Sequence, residues 1–281
     1  MTSTLVMRLA ILGGVALAPC AGLAQARPDE HAHTGTALAQ AALGDVHFPV
    51  TCMPDVQSAF DVAMKLQHSF WYQAADEAYA DVLRRDPSCV MALWGRALTR
   101  LVNPFTPPTV ANLQQGRAYI EEAQRIGARS EREKGLIDAL SILFDSDDVA
   151  GHRARIGRYA LAMDALHQRF PDDSEISTFT ALALIMAAPP TDKTYANQLR
   201  AGEMLARESA VHPQHPGVTH YLIHTYDTPA LADRGVPAAE RYADIAPDAP
   251  HALHMPSHIF TRVGRWEDSI SANLRSGEVA R

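Results

Sequence analysis

The stretch VQSAFDVAMKLQHSFWYQAADEAYADVLRRDP, residues 56–87, decides the fold. Phe60, Ala63, Met64 and Leu66 form one stripe of a first helix, because residues three and four apart share a helix face. Ala74, Ala75, Ala78, Tyr79 and Val82 form the stripe of a second. The small alanines let the two helices approach closely, and Pro87 closes the unit because proline cannot sit in a helix interior without losing a hydrogen bond. The pattern is a helical hairpin. Elsewhere period-two alternation is scarce and no Asn-Gly hairpin occurs, so the fold class is all-α.

Helical patterns continue outward from this unit. DPSCVMALWGRAL (86–98) opens another helix, and NPFTPPT (103–109) interrupts the array. Helices are predicted over 109–127, 131–145, 151–170, 173–187 and 195–211, with AAPPTD (187–192) as a break. A regular period then returns. Pro213 and Pro247 are 34 residues apart, and so are His220 and His254, and His224 and His258. Helices over 217–228, 235–245 and 251–263, with a last one after Gly264, fit that period. Thirty-four residues is the length of a helix–turn–helix repeat whose units stack into a solenoid. The expected organisation is a helical-hairpin solenoid over 55–281, clearest in the repeats 56–89, 216–249 and 250–281.

The beginning of the chain reads differently. Arg8 precedes the apolar run Leu9–Leu17, and Ala24-Gln25-Ala26 matches an A-x-A cleavage pattern, so 1–26 is expected to be a signal peptide. Residues 27–54 read as a linker. No later stretch is apolar enough to span a bilayer. The expected product is exported and periplasmic, with no transmembrane segment in the mature chain. After cleavage two cysteines remain, Cys52 and Cys89, each just ahead of the first helix of a repeat. An oxidising compartment lets them pair, and two free buried thiols are the alternative. The formal net charge is −7 with no basic stripe, which argues against nucleic-acid binding.

The chain has 13 histidines, and the repeat gathers some of them. His220/His224 and His254/His258 are spaced i, i+4, and His251/His254 i, i+3, so each pair lies on one helix face. Imidazole is the commonest metal-binding side chain, and an H-x3-H pair can chelate one ion. The expected metal ligands are His220, His224, His251, His254 and His258. Asp227 is a candidate to orient a histidine, Arg262 is a candidate for the same groove, and His215 either points into that groove or caps the turn before its helix. The donor set suits Zn(II), Cu(II) or a two-metal site, and no organic cofactor is indicated. His68, His152 and His167 lack spaced partners and read as structural. Pro256, between His254 and His258, demands either a late helix start or a kink. No H-E-x-x-H, G-x-S-x-G, P-loop or G-x-G-x-x-G motif occurs, so no reaction follows from a motif.

These features resemble the tetratricopeptide-repeat (TPR) superfamily. With Pro87 at the family's thirty-second position, Ala63 and Ala75 fall on its two small positions, the eighth and twentieth. HPGxxHYxxH (215–224) and HxxHMPSHIxxRxGR (251–265) resemble patterns of exported bacterial proteins of that superfamily. The resemblance implies a concave groove lined by His220, His224, Asp227, His251, His254, His258 and Arg262. It assigns no activity. Two functions remain open: a metal-binding groove, serving either a metal-binding protein or the site of a metal-dependent enzyme, or a non-catalytic scaffold binding a protein or peptide partner in the cell envelope.

Overall fold

The computed structural model describes residues 40–280, and these contain helices and no strand. The expected signal peptide, Cys20, His31 and His33 lie outside the described residues. The chain runs through α1 (Gln57–His68), α2 (Tyr72–Arg85), α3 (Val90–Thr99), α4 (Val110–Ile126) and α5 (Glu131–Ser141). It continues through α6 (His152–Arg169), α7 (Ser174–Ala187), α8 (Ala196–Val211), α9 (Pro216–Tyr226) and α10 (Ala232–Ile245). It ends with α11 (Pro250–His254), α12 (Pro256–Arg262) and α13 (Trp266–Val279).

Local chemistry sets the boundaries. Thr109, Ser130 and Asp173 each accept a hydrogen bond from the backbone N–H three residues on, capping α4, α5 and α7. At α9 the cap is His215, whose Nδ1 accepts from Val218 N–H at 3.2 Å, followed by Pro216 in the first helical position. Pro256 produces a kink: Met255 keeps a right-handed helical conformation, so α12 continues from α11 and His251 is already helical.

Consecutive helices pack on one another, and α1 also packs on α9. That second contact brings the first helical hairpin against the histidine-bearing helices. The part of the expected linker that is described, residues 40–54, takes part in the packing. Leu43 and Phe48 are buried, Asp45 N–H donates to the Gln214 carbonyl at 2.9 Å, and Ala42 N–H donates to Asp248 at 2.7 Å. The apolar side chains of 43–48 supply the reason, since burying a Leu or Phe stabilises by about 1.5–3 kcal/mol each. Cys52 and Cys89 form a disulfide that ties this segment to the start of α3.

Candidate functional site

The five expected ligands form one continuous cluster of rings. His220 and His224 come from successive turns of α9, His251 and His254 from α11, and His258 from α12. His224 Nε2 and His251 Nε2 lie 3.0 Å and 3.2 Å from His220 Nε2, and His254 Nε2 lies 3.1 Å from His258 Nε2. The two sets are adjacent: ring centroids are 5.8 Å apart for His251 and His254, and 6.2 Å for His224 and His258.

The partners on the other side of these rings fix their tautomers. His220 Nδ1 lies 2.6 Å from the His68 backbone carbonyl, which can only accept, so Nδ1 carries the proton. His258 Nδ1 lies 2.9 Å from Asp227 Oδ2, and the other oxygen of Asp227 accepts from Arg262 Nε at 2.9 Å. Burial would raise the Asp227 pKa. Hydrogen bonds from His258 and Arg262, with their charges, outweigh it and hold the carboxyl below its usual value. His258 Nδ1 therefore donates to a carboxylate. His254 Nδ1 lies 2.6 Å from Asn273 Oδ1, and the Asn273 amide N–H₂ donates to the Ser269 carbonyl at 2.9 Å. A flipped amide would set oxygen against oxygen at Ser269, so His254 Nδ1 is also a donor. Three of the five rings thus turn Nε2 lone pairs toward the cluster. Nδ1–H anchored on a carbonyl or carboxylate, with Nε2 left free, is the arrangement that prepares histidine to bind a metal.

The environment keeps the inner rings neutral. Burial is the main cause, helped by the neighbouring imidazoles, that lowers His220 well below its ordinary value, His224 to about 3 and His251 to about 4. Neutral imidazole is the ligating form. Aromatic rings wall the cluster. Phe70 packs edge-on to His220 at 4.3 Å and stacks on His224 and His251, Tyr242 stacks on His220, and Phe105 lies 4.7 Å from His224. Phe105 belongs to the 103–109 interruption and also lines a cavity of about 300 Å³ with Ile156, Ile185 and Met186.

Asp227 and Arg262 lie beside His258, whereas His215 caps α9, the second of the two places its position allowed. It turns away to a second buried group, where His215 Nε2 and His68 Nε2 lie 3.0 Å and 2.9 Å from the two oxygens of Glu175. His215 Nδ1 already accepts from Val218, so its Nε2 proton is committed to Glu175. His68 Nδ1 meets the Tyr221 hydroxyl at 3.0 Å. Burial pushes His68 down, while the two histidines hold Glu175 ionised against the opposing effect of burial. This group is closed on itself, and it positions the His68 carbonyl that anchors His220. His68, expected to be structural, brings its ligand atom within 4.8 Å of those of Glu175 and His215, a grouping that could itself hold an ion, and its backbone serves the first cluster. His152 is buried too, with Nδ1 lacking a partner and its pKa lowered to about 4 by burial and by Arg155. Sequence reasoning missed Phe70, Phe105, Glu175 and Asn273. Only Phe105 carried a signal, the aromatic residue within the proline-rich break.

The sequence matches no protein-family model, and no curated protein is significantly similar to it.

Proposed function

We propose that this chain is an exported, TPR-like helical protein whose histidine cluster binds a transition metal, zinc or copper. The observation that carries this reading is the convergence of three Nε2 atoms, from His220, His224 and His251, within 3.0 and 3.2 Å of the His220 atom. Two nitrogens at about 2.0–2.1 Å from one ion lie about 2.9 Å apart at a right angle and about 3.4 Å apart at the tetrahedral angle. Both observed separations fall in that interval. The His220 tautomer is locked, and His224 and His251 stay neutral far below neutral pH, so protons compete weakly with a metal there.

The repeat reading draws support from the stacking of consecutive helices and from the 34-residue register that puts His220 and His224 in α9 and His254 and His258 in α11–α12. The disulfide fits an oxidising compartment and so favours export. Three imidazoles leave a coordination position for water or a substrate, the arrangement of catalytic zinc sites, whereas copper would direct the chemistry toward redox steps.

Elemental mass spectrometry on protein exported to a periplasm and purified without a His tag tests the reading. Stoichiometric zinc or copper is expected, lost in His220→Ala and in His224→Ala/His251→Ala variants that keep a wild-type circular dichroism spectrum. Absence of bound metal after reconstitution with both Zn(II) and Cu(II) would refute it and turn attention to partner capture by the groove.

A further inference from the structure

We propose that His254 and His258 hold a second ion beside the one at His220, His224 and His251, so that the cluster is a two-ion centre. The inference rests on the metal-binding reading above and extends it. What carries it is a conflict that protein atoms alone leave unresolved. His254 Nε2 and His258 Nε2 are 3.1 Å apart. Both rings have Nδ1 committed as a donor, one to Asn273 Oδ1 and one to Asp227 Oδ2. In two neutral rings, lone pair would therefore face lone pair at hydrogen-bond distance. Only a cation between them, a metal ion or an added proton, resolves that contact. The three-histidine set differs here, because either His224 or His251 can turn an Nε2 proton toward the lone pair of His220 Nε2.

The anchors of the two sets are also independent. His220 hangs from the His68 carbonyl. His254 is held by Asn273 of α13, which Ser269 orients, and His258 by Asp227, which Arg262 orients. Each anchor has a second partner of its own, as expected where outer groups hold ligand rings in place. The sets sit side by side, with the centroid separations of 5.8 Å and 6.2 Å given above. Neighbouring ions of this kind hold the attacking and leaving oxygens of one substrate in two-metal hydrolases. Charge narrows the ligand class. Imidazole ligands bring no negative charge, and Asp227 is balanced by Arg262. Two divalent ions would leave the centre strongly positive, so its open positions suit an oxyanion, hydroxide or a substrate phosphate or carboxylate.

The test is Zn(II) stoichiometry in the full chain, read by elemental mass spectrometry after gel filtration. Wild-type protein is expected to hold two ions. His254→Gln/His258→Gln is expected to hold one, and Asn273→Leu, which leaves all five ligands in place, to bind the second ion 10–100-fold more weakly with the first unchanged. One ion in both the wild type and the double variant overturns the proposal and leaves the three-histidine site standing, with a shared proton between His254 and His258. One ion in the wild type and none in the double variant also overturns it, in favour of a single ion shared by all five rings. No ion in any protein refutes the metal reading itself. If the double variant fails to fold, Asn273→Leu decides: undiminished binding of both ions sinks the assignment. Inorganic phosphate should bind zinc-loaded wild type at least tenfold more tightly than the zinc-loaded double variant, and equal binding would overturn the oxyanion assignment.

Discussion

Acidification of the metal-free protein should reveal how strongly the fold holds the inner histidines neutral. In the unfolded chain each imidazole takes up a proton near pH 6.5, whereas in the folded protein His224 waits until about pH 3 and His251 until about pH 4. Between those values the unfolded state binds more protons, so stability is complete above about pH 6.5 and falls as pH drops toward 4. At pH 5 both rings are still neutral in the folded state while their unfolded counterparts are almost fully charged. With about 1.36 kcal/mol per pH unit, each ring then costs about 2 kcal/mol relative to pH 8, or about 4 kcal/mol together. That is a large part of the roughly 5–15 kcal/mol by which domains are stable. The assay is urea unfolding of chelator-treated protein at pH 8 and pH 5, wild type beside His224→Gln/His251→Gln. Glutamine keeps a polar side chain but does not titrate, so the variant should lose about 4 kcal/mol less than wild type between the two pH values. Equal losses would mean that these rings are accessible to protons, and the argument for a prepared neutral ligand set would fail.

Two further outcomes follow from the packing around the site. Cys52→Ser/Cys89→Ser opens a loop of 37 residues, which in the chain-entropy model costs about 4 kcal/mol, and urea unfolding showing a loss under about 1 kcal/mol would contradict a formed bridge. A methyl group added at Gly217 would sit 2.3 Å from His68 Nδ1, and both nitrogens of that ring are already engaged. Gly217→Ala should therefore cost about 1–3 kcal/mol by overpacking and lower the melting temperature by several degrees in a thermal scan, and an unchanged melting temperature would show that His68 is free to move.

The sequence was most readable where one residue type decides a local event. Thr109, Ser130 and Asp173 start α4, α5 and α7 within a residue of their predicted positions because a side-chain oxygen there satisfies a backbone N–H. The i, i+4 histidine pairs were legible for the same reason, since one helix face delivers both rings. The start of α10 was expected at 235, and the helix begins at Ala232 with Pro237 inside it. His215 was legible as a cap of α9, but nothing in the sequence pointed to Glu175 as the partner of its other nitrogen. Glu175 and Asn273 were unreadable because their partners lie 40 to 107 residues away in the first case and on a different helix in the second. Period and propensity carry no information about such meetings.

The 34-residue spacing of the histidines thus accompanies their meeting on α9, α11 and α12, while the orientation of the rings depends on contacts with other elements. The clearest case is the turn after α1. Phe70 adopts φ 53°, a left-handed conformation that costs an aromatic residue about 1–3 kcal/mol and persists only where the surroundings enforce it. Two contacts meet at that turn. The His68 carbonyl accepts the His220 Nδ1 proton, and the Phe70 ring lies against His220, His224 and His251. A relaxed backbone at residue 70 would send the ring elsewhere and leave three imidazoles facing water. Their depressed pKa values depend first on burial, so the neutrality of the three rings would be lost with the Phe70 contact. The strained turn after α1 is therefore part of the histidine cluster built by α9, α11 and α12, and the packing of α1 on α9 is what holds it there.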